Sequence, residues 1–343
     1  MGLTLIRKSR GPVLRSRPRV ALVLAGGAIS GAAFKVGGIK ALEDYLVGRG
    51  LCDLDVYVGL SAGAVLAVPL AGGVGPDEMI RVLHGQSDRL DQLRPIDFYN
   101  PNVSEFVRRP VRLAYDVLSY LPGVSLEFLR GLPGLPDAAG DAFRRFVREP
   151  GYTQWEALAL RVIEHVSPTR ARPSLTEQIP SGIFDNRSLE RWLRRNLDLL
   201  GLPNDFSAFK RQLGASLYLS ACDLDTAERV IFGFDEKSDV TISQAVQAST
   251  ALPVFYKPAR LNGIDYVDGG VRNTANIDVA IEKGADLIIC YNPFRPFVNR
   301  PDSGDQDPER SGVGAHLADR GLKLVLNQTF RTLLHSRLKL ALQ

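Results

Sequence analysis

The chain predicts an α/β fold built on a mostly parallel central sheet, and three features carry that prediction. Val20-Ala21-Leu22-Val23-Leu24-Ala25 is a short, wholly apolar run of the kind that a strand covered on both faces requires. It passes through a glycine turn, Gly26-Gly27-Ala28-Ile29-Ser30-Gly31, into a helix expected over about 29–47. A second β-rich run, Val56-Tyr57-Val58, lies within a strand expected over 55–59. Strand, helix and strand in so short a span make one βαβ unit with a right-handed crossover.

The second strand runs into Gly59-Leu60-Ser61-Ala62-Gly63 and then Ala64-Val65-Leu66-Ala67-Val68. A strand, a Gly-x-Ser-x-Gly turn and a small-residue helix form the context of a nucleophile elbow. Gly59 and Gly63 matter because so tight a turn leaves no room for neighbouring Cβ atoms. The Ser61 hydroxyl is then lifted toward the amino end of a helix, where free N–H groups favour negative charge. An ordinary glycine-rich strand-to-helix turn fits this pentapeptide equally well, so the remaining motifs decide.

The first glycine turn does not read as a nucleotide site. Ala28 stands where a dinucleotide fingerprint needs its middle glycine, and no Gly-Lys-Ser/Thr follows. Amides at a helix start suit an oxyanion hole, and a plain βα turn is the alternative. In a parallel pair, both turns lie at the carboxyl ends of adjacent strands, where open α/β sheets bind ligands.

A base is also needed. The histidines are His84, His165, His316 and His335. The first two fall in a segment read as an irregular insertion, and the last two border a basic helix, so a Ser-Asp-His order ending at His316 is the weaker option. Asp268, in Tyr266-Val267-Asp268-Gly269-Gly270, follows a strand expected over Gly263–Val267. A carboxylate in a partly desolvated crevice has its pKa raised and can accept the serine proton directly. The competing reading is a structural aspartate in a β-turn.

These residues carry a resemblance. Gly26-Gly27-x-x-Ser30-Gly31, Gly59-x-Ser61-x-Gly63 and Asp268-Gly269-Gly270, in that order, resemble the patatin-like phospholipases. Ala221-Cys222-Asp223-Leu224-Asp225-Thr226 with Val230-Ile231-Phe232 is similar to that family's Thr-Asp-Leu strand. Ala248-Ser249-Thr250-Ala251-Leu252-Pro253 is similar to its Ser-x-Ala-x-Pro segment. The resemblance covers about 20–83 and 180–292, and it implies a patatin-like three-layer α/β/α fold. It further implies a lipid acyl hydrolase with a Ser-Asp dyad: Ser61 as nucleophile, Asp268 as general base, and Gly26, Gly27, Ala28, Ser30 and Gly31 as the oxyanion hole. It implies no metal and no cofactor. Two positions depart from the family pattern: Ala28 replaces a third glycine, and Ser30 replaces an Arg or Lys. A weakly catalytic or inactive lipid-binding scaffold of the same fold is the alternative function.

Composition is that of an ordinary soluble protein, and a net charge of +4 over 343 residues does not suggest a nucleic-acid partner. Cys52, Cys222 and Cys290 show no metal-ligand spacing and are expected to be reduced, mostly buried thiols. Arg7, Lys8, Arg10, Arg15, Arg17 and Arg19 make residues 1–19 a basic arm. The apolar run after it soon meets glycines and Lys35, which favours a core strand over a signal peptide. Residue 6 is Ile, where a myristoylation signal wants Ser or Thr.

The catalytic domain is expected over 20–298, interrupted by a helical cap or insertion over about 84–180. Tyr115, Leu118, Tyr120, Leu121, Val124, Leu126, Phe128, Leu129, Leu132 and Leu135 lie there among Pro122, Gly123, Pro133, Gly134 and Pro136, which break it into short helices. Phe143 and Phe146 fall on another helix; the cap either lines an acyl pocket or is ordinary packing. Asn186 or Ser188 is expected to cap a helix over Leu189–Leu199, and residues 299–314 read as a linker. Over 315–343, Leu322, Val325, Leu326, Phe330, Leu333, Leu334 and Leu338 form one apolar stripe on a basic amphipathic helix. That helix is expected to dock on its own core, with a membrane surface or a second copy as alternatives. The expected partner is a lipid or acyl-ester substrate, and the expected location is cytoplasmic, with peripheral membrane contact allowed.

Overall fold

The computed structural model describes residues 17–112, 114–115, 135–166, 179–293, 296, 298–299 and 316–342. The basic arm up to residue 16, the Pro/Gly-rich stretch at 116–134 and nearly all of the linker lie outside them. The chain divides into two compact units: Met1–Pro101 with Ser181–Gln343, and Asn102–Pro180.

In the first unit the strands are β1 (Val20–Leu24), β2 (Val56–Leu60), β3 (Gly182–Phe184), β4 (Ser216–Asp223), β5 (Arg229–Phe232), β6 (Val254–Tyr256), β7 (Ala259–Leu261), β8 (Ile264–Asp268) and β9 (Leu287–Tyr291). The main sheet runs β7-β8-β4-β2-β1-β9, with β5 also paired to β4, while β3 and β6 make a separate ribbon. Its body, β4-β2-β1-β9, is parallel. The antiparallel strands β8, β7 and β5 gather at the β4 end.

The helices in chain order are α1 (Ala28–Tyr45), α2 (Ala62–Ala71), α3 (Pro76–His84), α4 (Pro95–Phe98), α5 (Leu135–Arg148) and α6 (Tyr152–Val166). They continue as α7 (Arg187–Leu199), α8 (Phe206–Leu213), α9 (Ile242–Ser249), α10 (Ile277–Glu282) and α11 (Leu322–Leu342). Of these, α5 and α6 belong to the second unit. His84, expected in irregular chain, instead ends α3, where Gly85 closes the helix in the left-handed conformation.

Alternation along the strands creates three layers. Leu22, Leu24 and Tyr57 face a large core with Val36 and Ile39 of α1, α2, and the buried faces of α7, α8 and α9. Ala21, Val23, Val56 and Val58 face Val279 and Ala280 of α10 on the other side. β1 and β2 are therefore buried on both faces, the reason their sequences run apolar without alternation. β9 is the sheet edge and leaves Cys290 exposed; Cys52 is half-buried, so of the three free thiols only Cys222 is buried.

The Asn186 side chain does not cap α7, although the residue stands at its N-cap. Its amide donates instead to the Gln247 carbonyl at 2.7 Å and to Thr250 Oγ1 at 3.0 Å, binding the start of α7 to the end of α9. Thr241 caps the start of α9 through a reciprocal bond with Gln244, at the end opposite Ser249.

Candidate active site

One strand sets the register of the site. On β4, Ser220 pairs with Leu60, the last residue of β2, and the next residue, Ala221, pairs with Asp268, the last residue of β8. Because β2 runs parallel to β4 and β8 runs antiparallel, their final residues meet head to head. Ser61 and Asp268, more than two hundred residues apart in sequence, are brought together there. The Ser61 hydroxyl stands close enough to the Asp268 carboxylate to act on its ionisation.

Ser61 holds φ 55° and ψ −127°, a backbone conformation that a residue with a Cβ rarely adopts. Its amide donates to Ser249 Oγ at 2.8 Å. Two residues further on, the Ala251 carbonyl accepts the Asp268 amide at 2.9 Å. The short segment after α9 thus clamps both backbones. Gly63 lets the elbow lie against the first glycine turn, since a Cβ there would stand 2.0 Å from the Leu24 carbonyl oxygen and 2.7 Å from that of Ala25.

Asp268 is buried, and burial pushes its carboxyl up to about 6, against the opposing pull of the Ser61 hydroxyl, the Gly270 amide and the Lys35 charge. The Gly270 amide donates to Asp268 Oδ1 at 2.8 Å. Among the described residues, no histidine figures among the groups acting on this carboxylate. The site can take a proton from Ser61 onto Asp268 and receive negative charge at the first turn.

That turn opens α1, whose first backbone bond runs from the Gly31 amide to the Gly27 carbonyl at 2.8 Å. The amides of Ala28, Ile29 and Ser30 precede it and have no acceptor within the helix. The side chain of Ser30 lies outside the described part of the structure. Pro293, after β9, closes over the turn: a Cβ at Gly27 would approach its ring to 2.8 Å.

Two residues at the site escaped sequence reasoning as functional groups. Ser249 was visible only as part of a similar segment, with no role attached. Lys35 is fully buried, yet its Nζ has no hydrogen-bond partner among the described residues. Burial pulls its ammonium down to about 7, while the Asp268 charge opposes the fall. Its spacing from Gly31 and Gly27, four and eight residues, was the available signal.

Beyond Asp268, α11 rests on the following loop. Thr274 Oγ1 donates to the Leu334 carbonyl at 3.0 Å, Arg337 donates to the Arg272 carbonyl at 3.0 Å and to that of Val271, and the Leu334 side chain reaches Gly270. No described helix is long and apolar enough to cross a membrane, and no cluster of potential metal ligands occurs among the described residues.

Several known proteins are similar to this chain. Probable lipid hydrolase 463L of Invertebrate iridescent virus 6 is 25% identical over 118 residues, which cover 32% of this chain and 41% of the viral protein. Among solved structures, VipD from Legionella pneumophila is 19% identical, with a TM-score of 0.34 over 74% of this chain and 46% of VipD. The SpcU–ExoU complex from Pseudomonas aeruginosa contains a chain 21% identical, with a TM-score of 0.31 over 68% of this chain and 39% of that one. In each case the match spans less than half of the other protein's length. The family description Patatin-like phospholipase matches residues 22–281, well over half of the sequence, and the chain belongs to that family.

Proposed function

We propose that the protein is a serine hydrolase of lipid acyl esters, in which Ser61 is the nucleophile and Asp268 the general base. The observation that carries this reading is the meeting of Ser61 with a buried Asp268 at the ends of β2 and β8. In the first step Ser61 Oγ attacks the ester carbonyl carbon, its proton passes to the Asp268 carboxylate, and the carbonyl π pair moves onto oxygen. The amides at the start of α1 receive that oxyanion. Collapse breaks the acyl–oxygen bond, and the leaving alkoxide takes the proton from Asp268. Water then repeats the sequence on the acyl-enzyme. Membership of the family supports a lipid ester as the substrate class. Asp268 must be ionised to act as the base, so activity is expected to rise with pH through about 6.

Labelling with a fluorophosphonate probe tests the nucleophile. Wild type labels, and Ser61→Ala does not. Absence of labelling in both would favour a lipid-binding scaffold. A panel of phospholipids, lysophospholipids and neutral esters would then define the head group and acyl position.

A further inference from the structure

Lys35 is costly to explain by packing alone. Its side chain is 0% exposed, and its amine has no hydrogen-bond partner among the described residues. Burying a polar group without a partner is unfavourable, and burying a charge is more so. The position adds to the difficulty. A Cβ built at Gly27 would lie 3.3 Å from Nζ, so the amine stands at the amino end of α1, where the helix dipole disfavours a cation.

The local sequence nevertheless makes room for it. Side chains on a helix lean toward its amino end, and the residues one and two turns before Lys35 are Gly31 and Gly27. With no side chain at either, the lysine stem runs back along α1 to the mouth of the glycine turn. Helix-start amides, a dipole end and an unpaired amine therefore converge at the mouth of the glycine turn. Asp268 is close enough for its charge to act on Lys35 but makes no hydrogen bond to it.

We propose that Lys35, as an ammonium, donates to the carbonyl oxygen of the bound acyl ester as that oxygen becomes negative, acting beside the amides at the start of α1. This rests on the Ser61–Asp268 reading above and deepens it. The ammonium keeps its proton throughout; the proton removed from Ser61 still travels through Asp268 to the leaving alkoxide.

The surroundings leave few groups to complicate titration. From β8 Asp268 faces Lys35, and from β9 the Tyr291 hydroxyl lies against Gly38. The helix α2 carries no titratable side chain, and from α3 Asp77 pairs with Lys40 on the outside of α1. In the strands beneath, the Tyr57 hydroxyl donates to the Leu51 carbonyl. The wild-type rate should therefore rise as Asp268 ionises, then fall as Lys35 loses its proton, with apparent values belonging to the coupled pair.

The experiment compares full-length wild type, Lys35→Met and Lys35→Arg, using p-nitrophenyl butyrate hydrolysis from pH 5 to 9 and thermal unfolding. Loss of an oxyanion donor lowers kcat by roughly 100-fold or more, and Lys35→Met is expected to do so. Its melting temperature should equal or exceed that of wild type, because a buried unpaired group has been removed. The alkaline fall should disappear in Lys35→Met. It should move to higher pH in Lys35→Arg, which should recover part of the rate. Wild-type kcat with the wild-type pH profile in Lys35→Met would overturn the proposal. So would a lower melting temperature in both variants with loss of rate in proportion, which marks a packing role. A wild-type rate that rises through neutrality and depends on Lys35 but not on Asp268 would make the amine a base and also overturn it. If Ser61→Ala hydrolyses as wild type does, the Ser61 reading itself fails, a result separable from every Lys35 outcome.

Discussion

Replacing Asp268 with asparagine should make the protein more stable at neutral pH while abolishing its activity. The Asp268 carboxyl rises from an ordinary value of 3.8 to about 6, with burial as the largest cause. At about 1.36 kcal/mol per pH unit, that rise corresponds to about 3 kcal/mol. The folded state holds the proton more tightly than the unfolded chain. The resulting stabilisation is complete below 3.8 and is lost as the pH rises through 6. Above neutrality the ionised carboxylate therefore burdens the fold. Asparagine does not titrate, and its side-chain oxygen can still accept the Gly270 amide that Asp268 Oδ1 accepts at 2.8 Å. Any fixed difference in packing shifts the comparison by a constant, so the pH dependence is the quantity to read. Between pH 4.5 and 8 the stability of Asp268→Asn relative to wild type should grow by about 2 kcal/mol, most of that 3 kcal/mol. Urea unfolding at a series of pH values measures this. In a Lys35→Met background the change should be at least as large, because the ammonium no longer holds the carboxyl down. Ester hydrolysis should fall roughly 10²–10⁴-fold, the range for loss of a general base. A relative stability that is flat with pH, or that grows toward acid, would refute the raised carboxyl and the base assignment built on it.

Other perturbations read other parts of the site. Ser61→Gly and Ser61→Ala both remove the hydroxyl, but only glycine relaxes the φ of 55°; Ser61→Gly should unfold about 1 kcal/mol later than Ser61→Ala, and neither should label with fluorophosphonate. Ser249→Ala leaves the buried Ser61 amide without its acceptor and should lose about 1–3 kcal/mol in urea unfolding, with a lower kcat on soluble esters. In the second unit, Val103, Phe106, Val107 and Val111 are exposed at helical spacing over residues 103–112, beside Arg108, Arg109 and Arg112. Val107→Glu with Val111→Glu should weaken sedimentation with vesicles containing anionic lipid by roughly 10-fold, since each charge opposes both burial and attraction. Hydrolysis of a soluble ester should be unchanged, and equal loss of both would refute a lipid-facing role.

The parts of the fold that were legible in the sequence are those in which a residue's neighbours in space are also its neighbours in the chain. β1, α1, β2 and the elbow at Ser61 follow directly from an apolar run, a glycine turn and a second apolar run. Asp268 was legible as a strand-terminal acid before two glycines, but the partner that aligns it, Ala221 on β4, was not. Antiparallel pairing at the β4 end of the sheet depends on contacts between distant segments that periodicity does not encode. Asn186 shows the same limit: its type and position suit an N-cap, yet its side-chain NH2 donates to the end of α9, an orientation in which its oxygen does not cap α7. Lys35 was the hardest to read. A lysine in an amphipathic helix ordinarily faces water, and only the glycines one and two turns earlier distinguish this one.

Three groups at the site are held in states that folding alone disfavours: Ser61 with positive φ, Asp268 ionised in a buried place, and Lys35 without a partner among the described residues. Each would be relieved by a single substitution to glycine, asparagine or methionine, so packing does not account for their presence. What sustains them is the frame. Ser61 and Asp268 are aligned by consecutive residues of β4, and their amides are held by Ser249 and Ala251, independently of any contact between their side chains. β1 and β2 are buried on both faces, and each fully buried aliphatic side chain contributes about 1.5–3 kcal/mol, enough to offset strain of a few kcal/mol in their terminal turns. The register is therefore paid for by the sheet rather than by Ser61, Asp268 and Lys35, which leaves those three groups without a structural task of their own.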